Sequence, residues 1–447
     1  MACPRPDRGS PALAPRVFRH RSPPMTLALH QYLQDLASHA DLHGVLGVYA
    51  DGAAVAEQAC GHANLASGRK NAPDTRFRIG SLSKSHTAAA ILLLAQHGKL
   101  DLHDSAARHL PDCGLDPRIT PMHLLRHRSG LGNHTALPAY WPELMGRHIA
   151  PEDLIRLITA SPLMDTPGQA CRYSNTGYAV LARIAERVGG DALHDQLRTM
   201  FWQALELRET GSIDTAHSIG CMLDPDRPPA PPLHPSVAFG AYDLAASARD
   251  LARWWLSLID GKVLDAAHTD LMLGGPPGDF GCGWWLDEIE IDGRRWRSVA
   301  HKGDVNGHTS MLLGLPERRL CAVVLFNTAS TPASATARRL LGLAMGEAWP
   351  AYPAALTEHV DDWAQGAYRD EQGATYVVDT ARRLIAATRD YGVPCRYAIR
   401  PSQAGPDAQA WRADAFDERH EFHRAAATLT ITSADGSKQH CRKVQTA

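Results

Sequence analysis

No apolar run in the sequence approaches the ~18 residues needed to cross a bilayer as a helix. The longest, Ala88–Ala95, is one buried helix's worth. Neither sign of charge is in excess: 46 Lys and Arg nearly cancel 48 Asp and Glu, leaving a formal charge of −2. That leaves no electrostatic footprint for nucleic acid or an anionic membrane, and points to a small-molecule or peptide ligand. The nine cysteines are scattered, odd in number and without a Cys-x-x-Cys pair, which argues against a disulfide framework or zinc ribbon and fits a reducing compartment. No Gly-x-Ser-x-Gly elbow, Walker loop or dinucleotide glycine pattern occurs, so no nucleotide cofactor is expected. The Arg- and Pro-rich residues 1–24 lack the apolar core of a secretory signal. They read as a disordered tail or a misassigned start ahead of Met25, and the expected location is cytoplasmic.

What is present is a chain of 447 residues, 44% apolar and 21% charged, enough for two or three folded domains. Apolar spacing predicts a helix over Leu29–Leu36, and Gly44–Ala50 reads as a strand that turns at Asp51-Gly52 into Ala53–Cys60. Lys84–His97 reads as a long buried helix ending at Gly98. Helices are expected at Pro121–His127, Pro151–Thr159, Gly177–Val188, Asp191–Phe201 and Leu244–Ile259, with the Pro-rich Asp224–Pro235 as a loop. The period then changes to that of strands over Gly283–Ile291, Arg295–His301, Thr309–Leu315 and Leu320–Phe326, before a helix over Ser334–Glu347. The expected fold is α/β of the α+β kind: over 25–350, an antiparallel sheet built from both ends of that region, flanked by helices, with an inserted, mostly helical lobe. Strand-like runs at Ala374–Val378, Leu384–Ala387 and Thr428–Thr432 make 355–447 a small β-rich C-terminal domain.

Ser81-Leu-Ser-Lys84 places a lysine three residues after a serine, over the same helix face. A half-buried Lys84 has a lowered pKa and can take the hydroxyl proton of Ser81, which sits where a helix start favours developing negative charge. A second Ser-x-x-Lys, at Ser67–Lys70, has no helix to align it. Tyr173 and Asn175, two apart in an extended segment, can face one pocket, the phenol relaying a proton and the amide holding a substrate amide. His301-Lys302-Gly303 ends a predicted strand. Gly303 there lets a substrate backbone approach, and the N–H of Asp304 can serve as a second oxyanion donor beside that of Ser81. Taken singly, Ser81 also fits a helix N-cap, and Tyr173-Ser174-Asn175 a capping loop with a packed tyrosine. His123 and His127 have zinc-like i,i+4 spacing but lack the glutamate of His-Glu-x-x-His, so no metal site is expected. Gly281-Cys-Gly-Trp-Trp285 reads as a packed strand start.

In their order, Phe77-Arg-Ile-Gly-Ser-Leu-Ser-Lys84, Ile119–His127 with Ser129-Gly-Leu131, Tyr173-Ser-Asn175 and His301-Lys-Gly303 resemble the serine β-lactamase and penicillin-binding-protein family. The likeness is to its class C β-lactamase, D-aminopeptidase and esterase branch, over about Leu29 to Gly346. It implies a β-lactamase/transpeptidase-like fold, with Ser81 as acylated nucleophile, Lys84 as its activating partner and Tyr173 as proton shuttle to the leaving group. Asn175 would contact the substrate amide, and His301 would occupy the place of the third-motif Lys or His; no metal is required. That third motif is Lys-Thr-Gly in the branch's β-lactamases, and a histidine there resembles the peptidase and esterase members more. The implied activity is hydrolysis of an amide or ester, of a D-amino-acid peptide or amide or a small ester. The alternatives are a β-lactamase or DD-peptidase, or a non-turnover sensor or scaffold of the same fold.

Overall fold

The computed structural model describes residues 23–38, 41–349, 362–389 and 393–444. The runs Gly44-Val-Leu-Gly-Val-Tyr-Ala50 and Leu320-Cys-Ala-Val-Val-Leu-Phe326 are apolar at nearly every position, the pattern of strands covered on both faces. They lie side by side inside a seven-stranded antiparallel sheet, every residue of the second one buried. Its strands are β1 (Gly44–Ala50), β2 (Ala53–Cys60), β3 (Asp279–Phe280), β4 (Trp285–Ile291), β5 (Arg294–Val305), β6 (His308–Leu315) and β7 (Leu320–Phe326), in the order β2-β1-β7-β6-β5-β4-β3. The sheet is therefore assembled from the two ends of the 25–350 region.

The α-helices of five or more residues are α1 (Pro23–Ala37), α2 (Ser83–Gln96), α3 (Pro121–Leu125), α4 (Pro151–Thr159), α5 (Asn175–Gly189), α6 (Leu193–Leu197), α7 (Ala248–Ile259), α8 (Ala266–Leu273) and α9 (Ala333–Met345). Helices α1 and α9 cover one sheet face with Leu29, Tyr32, Leu340 and Leu341. The lobe's α2, α5 and α7 pack on the other through Ile91, Leu92, Tyr178 and Trp255.

Three expectations are corrected. Leu244–Ile259 is not one helix: Leu244–Ala246 is a short strand between Phe77–Arg78 and Thr210–Ser212. The Ser247 hydroxyl then accepts from Asp250 N and starts α7 at Ala248, tertiary pairing overriding a helix-compatible pattern. Asp191–Phe201 is α6 followed by a π-turn over Arg198–Trp202. His301-Lys302-Gly303 lies within β5, not at its end, because the Asn306-Gly307 turn (Gly307 φ 76°) closes the β5–β6 hairpin four residues later than expected. On its other side β5 pairs with β4 only as far as Ala300↔Trp285. From His301 onward no strand among the described residues pairs with that side.

The β-rich region is a closed eight-stranded antiparallel barrel: β8 (Gly366–Asp370), β9 (Thr375–Asp379), β10 (Leu384–Arg389), β11 (Val393–Gln403), β12 (Ala408–Ala413), β13 (Glu418–His423), β14 (Thr428–Ser433) and β15 (Lys438–Val444). Tyr368, Tyr397, Trp411, Phe422 and Leu429 fill it. Tyr32 of α1 donates to Asp417 across to the barrel at 2.8 Å. The Pro-rich loop is clamped to it by Arg396 on Asp224 at 2.7 Å and by Arg396 N on Leu223 O at 2.8 Å. The expected domain boundary near 350–355 and the segment before residue 23 lie outside the described residues.

Candidate active site

Helix α2 is apolar almost all round, and Ser83 to Leu92 are buried without interruption. A helix of that composition sits in the core, and it carries Lys84 there with no exposed surface. Ser81 precedes it in a tight turn over Gly80–Leu82, and its side chain caps neither that turn nor α2, so the N-cap role is not the one realised. The lysine ammonium nitrogen lies 3.0 Å from Ser81 Oγ, 2.7 Å from Asn175 Oδ1 and 2.8 Å from the Ala241 carbonyl. The Tyr173 hydroxyl donates to Ser81 Oγ at 2.7 Å. Burial pushes Lys84 well below the usual lysine range, the Asp243 carboxylate pulling the other way.

Tyr173 is placed by its neighbours. Ser174 caps α5 by accepting from Gly177 N at 3.1 Å and donates to the Gly132 carbonyl at 2.8 Å. The capping loop is thus real, and its cap is Ser174, which frees Tyr173 and Asn175 on either side. The His127 ring lies against Tyr173 with centroids 4.3 Å apart and accepts from Ser174 N at 3.2 Å. His127 takes the left-handed backbone conformation, φ 56°, at the end of α3. Its role as a wall behind the phenol was not visible in the zinc-like spacing. His123 joins a capping box with Thr120 instead, and no cluster among the described residues could hold a metal ion.

A cleft of about 320 Å³ opens in front of the serine, lined by Ser81, Tyr173, Phe280, Trp285, His301 and Met311 among others. Phe280 and Trp285 are aromatic walls missed by the sequence reading: of the Gly281–Trp285 segment, Cys282 and Trp284 pack inward as expected, while Trp285 turns to the cleft. His301 sits 6.2 Å from the Tyr173 ring, centroid to centroid. Its Nδ1 is 2.7 Å from the Lys302 carbonyl, to which only an N–H can bond, so Nε2 carries a lone pair. Nε2 is buried with no partner among the described residues. Burial, with the Lys84 charge nearby, pushes this imidazole down to about 3, so it is neutral at ordinary pH. Lys302 pairs with Asp304 at 3.2 Å.

Gly80 and Gly303 bring β5 against the turn that carries Ser81. A Cβ on Gly303 would lie 2.0 Å from the Ile79 carbonyl oxygen, and one on Gly80, at φ 54°, 2.7 Å from Asp304 N. Asn175 stands differently from the sequence expectation: Oδ1 takes Lys84 and Nδ2 donates to Thr135 at 3.0 Å, so its amide is engaged behind the serine.

Relatives with known names share this arrangement's fold. The family profile described as beta-lactamase matches residues 29–345. A penicillin-binding protein of Bacillus subtilis (strain 168) is 25% identical over 303 residues, 60% of this chain and 64% of that protein. The chain spans 66% and 54% of the length of the first two curated relatives it matches. Among solved structures, the octameric penicillin-binding protein homologue from Pyrococcus abyssi superposes with TM-score 0.64 at 20% identity, over 93% of this chain and 99% of that one. The D-amino acid amidase of Ochrobactrum anthropi SV3, complexed with D-phenylalanine, gives TM-score 0.59 at 21% identity over 72% and 98%. With a match that runs from α1 through α9, the chain belongs to the beta-lactamase family.

Proposed function

We propose that the protein is a serine hydrolase that cleaves an amide or ester through an acyl-Ser81 intermediate. The observation that carries this is the pair of contacts on one hydroxyl, Lys84 at 3.0 Å and Tyr173 at 2.7 Å, at the mouth of the cleft. A neutral Lys84 donates its two hydrogens to Asn175 Oδ1 and the Ala241 carbonyl, leaving its lone pair for the Ser81 proton. Ser81 Oγ then bonds to the substrate carbonyl carbon while its proton passes to Lys84. The N–H groups of Ser81 and Asp304 hold the oxyanion. Collapse breaks the C–N or C–O bond, and Tyr173 delivers its proton to the leaving group, regaining one from Lys84. Water attacks the acyl ester, releases the acid and restores Ser81.

The substrate we favour is a D-amino-acid peptide or amide, or a small ester. His301 is neutral and offers a lone pair rather than a cation, and Lys302, the basic residue of the lining, is held by Asp304. Among the described residues of the lining, the one cation, Lys302, is already paired, which counts against a carboxylate such as that of a penicillin, whereas a substrate N–H has an acceptor in His301 Nε2. Phe280 and Trp285 suit an apolar or aromatic side chain. Turnover of D-aminoacyl p-nitroanilides, p-nitrophenyl esters and a chromogenic cephalosporin tests the reading. The expected result is amide or ester hydrolysis at the highest rate, reduced by about 10³-fold or more in Ser81→Ala; wild-type turnover in that variant contradicts it.

A further inference from the structure

Behind the lysine, on the side away from the cleft, the turn Gly240-Ala-Tyr-Asp-Leu244 is fastened to the first turns of α2. Thr87 donates to the Gly240 carbonyl at 2.8 Å, Lys84 to the Ala241 carbonyl at 2.8 Å, and Leu244 N to Ser83 Oγ at 3.1 Å. The turn buries the carboxylate of Asp243, 2% exposed. Asp243 Oδ2 receives Gly240 N at 2.8 Å and His194 Nε2 at 2.9 Å, whereas Oδ1 is buried with no hydrogen-bond partner among the described residues. His194, on α6, keeps a third of its side chain in solvent. A carboxylate this deep needs a nearby positive charge, and the two groups among the described residues placed to supply one are His194 and Lys84.

We propose that His194 and Asp243 are positioning residues for the base: a proton site at the surface whose charge, relayed through a buried carboxylate, decides whether Lys84 stands neutral. When His194 is protonated, it balances Asp243 from the outer side and Lys84 is free to be an amine. When His194 is neutral, Lys84 is the cation left to balance Asp243, and it gives up its proton only at a higher pH. Burial opposes the charge on His194, but Asp243 from the turn, Glu186 from α5 and Asp195 from α6 outweigh it and raise the imidazole above its usual value. On the inner side, His86 of α2 is pushed down to about 3 by burial and stays neutral, and the Tyr242 hydroxyl is taken by Tyr140 at 2.7 Å. The other groups facing Lys84 are Tyr173, Tyr178, His127, His134 and His301, and the three imidazoles are held below their usual value. Asp243 is the acidic group among them.

This inference rests on the acyl-Ser81 reading. Its test is the pH dependence of acylation by a fluorophosphonate, followed by intact mass, in the wild type, Asp243→Asn, His194→Gln and the double variant. The rising limb should move down by roughly one pH unit in Asp243→Asn, which removes the charge that keeps the proton on Lys84, and up by a similar amount in His194→Gln. In the Asp243→Asn background His194→Gln should add no further shift. Limbs that superimpose on the wild type, that move in the same direction, or that shift equally in both backgrounds overturn the proposal. His194→Gln lies at the surface and serves alone if the Asp243 variant does not fold. A wild type with no Ser81 adduct would remove the functional reading itself; an adduct with unmoved limbs would remove only this one.

Discussion

A neutral Lys84 has two hydrogens and three polar neighbours, so the identity of its acceptors decides what it does to Ser81. Asn175 Oδ1 and the Ala241 carbonyl can only accept, which leaves the lone pair aimed at the hydroxyl. Because burial depresses the ammonium, the base form is present above that lowered ionisation and is lost as pH falls through it. The rising limb of acylation should therefore lie well below pH 10.4, about where an ordinary lysine gives up its proton. Stopped-flow acylation against pH should show that limb, and in Lys84→Met the limb should vanish with the rate; a profile unchanged by the substitution would contradict the role. Tyr173→Phe keeps the ring stacked on His127 and loses only the hydroxyl, so it should lower turnover by about 10²-fold or more with little change in stability. At this scale the sequence was legible where chemistry depends on spacing: Ser81 with Lys84, and Tyr173 with Asn175. It was not legible for the Ala241 carbonyl or the His127 ring, which act through a backbone oxygen and a packed face that any residue pattern can hide.

Two elements meet at Ser81, the turn before α2 and strand β5, and the closeness of their backbones depends on two missing side chains. Gly303→Ala would drive a methyl to 2.0 Å from the Ile79 carbonyl oxygen and 2.3 Å from Ser310 Oγ, so β5 must retreat from the Ser81 turn. The expected outcome is a folded protein in which the Asp304 N–H no longer reaches the oxyanion: kcat falls by about 10²-fold, the cost of one such donor, with KM little changed. Retained kcat would show that β5 does not supply that donor. The long periodic elements α2, α4 and α5 and the strands β1, β2, β4, β6 and β7 could be read from spacing, because core burial on a sheet or helix face imposes it. Leu244–Ala246 could not, since its extended form is imposed by pairing with Phe77–Arg78 and Thr210–Ser212, segments far away in sequence. The length of β5 could have been taken from Asn306-Gly307, a strong hairpin signal.

At the scale of the whole molecule, a set of contacts leads from the barrel through the Pro-rich loop to β5. Arg396 of β11 grips Asp224 in the Pro-rich loop, and Asn306, in the hairpin that ends β5, donates to the Pro231 carbonyl at 2.7 Å. The barrel also meets α1, where Tyr32 donates to Asp417, whose carboxyl burial raises from 3.8 to about 7. A carboxyl raised on folding stabilises the native state fully below its unfolded value, and that contribution is lost as pH rises, here between about pH 4 and pH 7. Asp417→Asn does not titrate, so the Tm of the wild type minus that of the variant should decrease from pH 5 to pH 8. A difference that stays constant, or grows, would show that the carboxyl is not held neutral at this interface. Of the eight strands of this domain, β9, β10 and β14 were readable. Closure was not, because β8 pairs with β15 at the far end of the domain, and no local pattern encodes such a contact.

The most direct measurement is the intact mass of the folded protein after a serine-directed fluorophosphonate, with peptide mapping of the product. One adduct per chain on Ser81, absent in Ser81→Ala and in protein unfolded beforehand, is the result expected of a hydroxyl activated by Lys84 and Tyr173. A folded protein that takes no adduct, or takes it on another serine, would contradict the central claim.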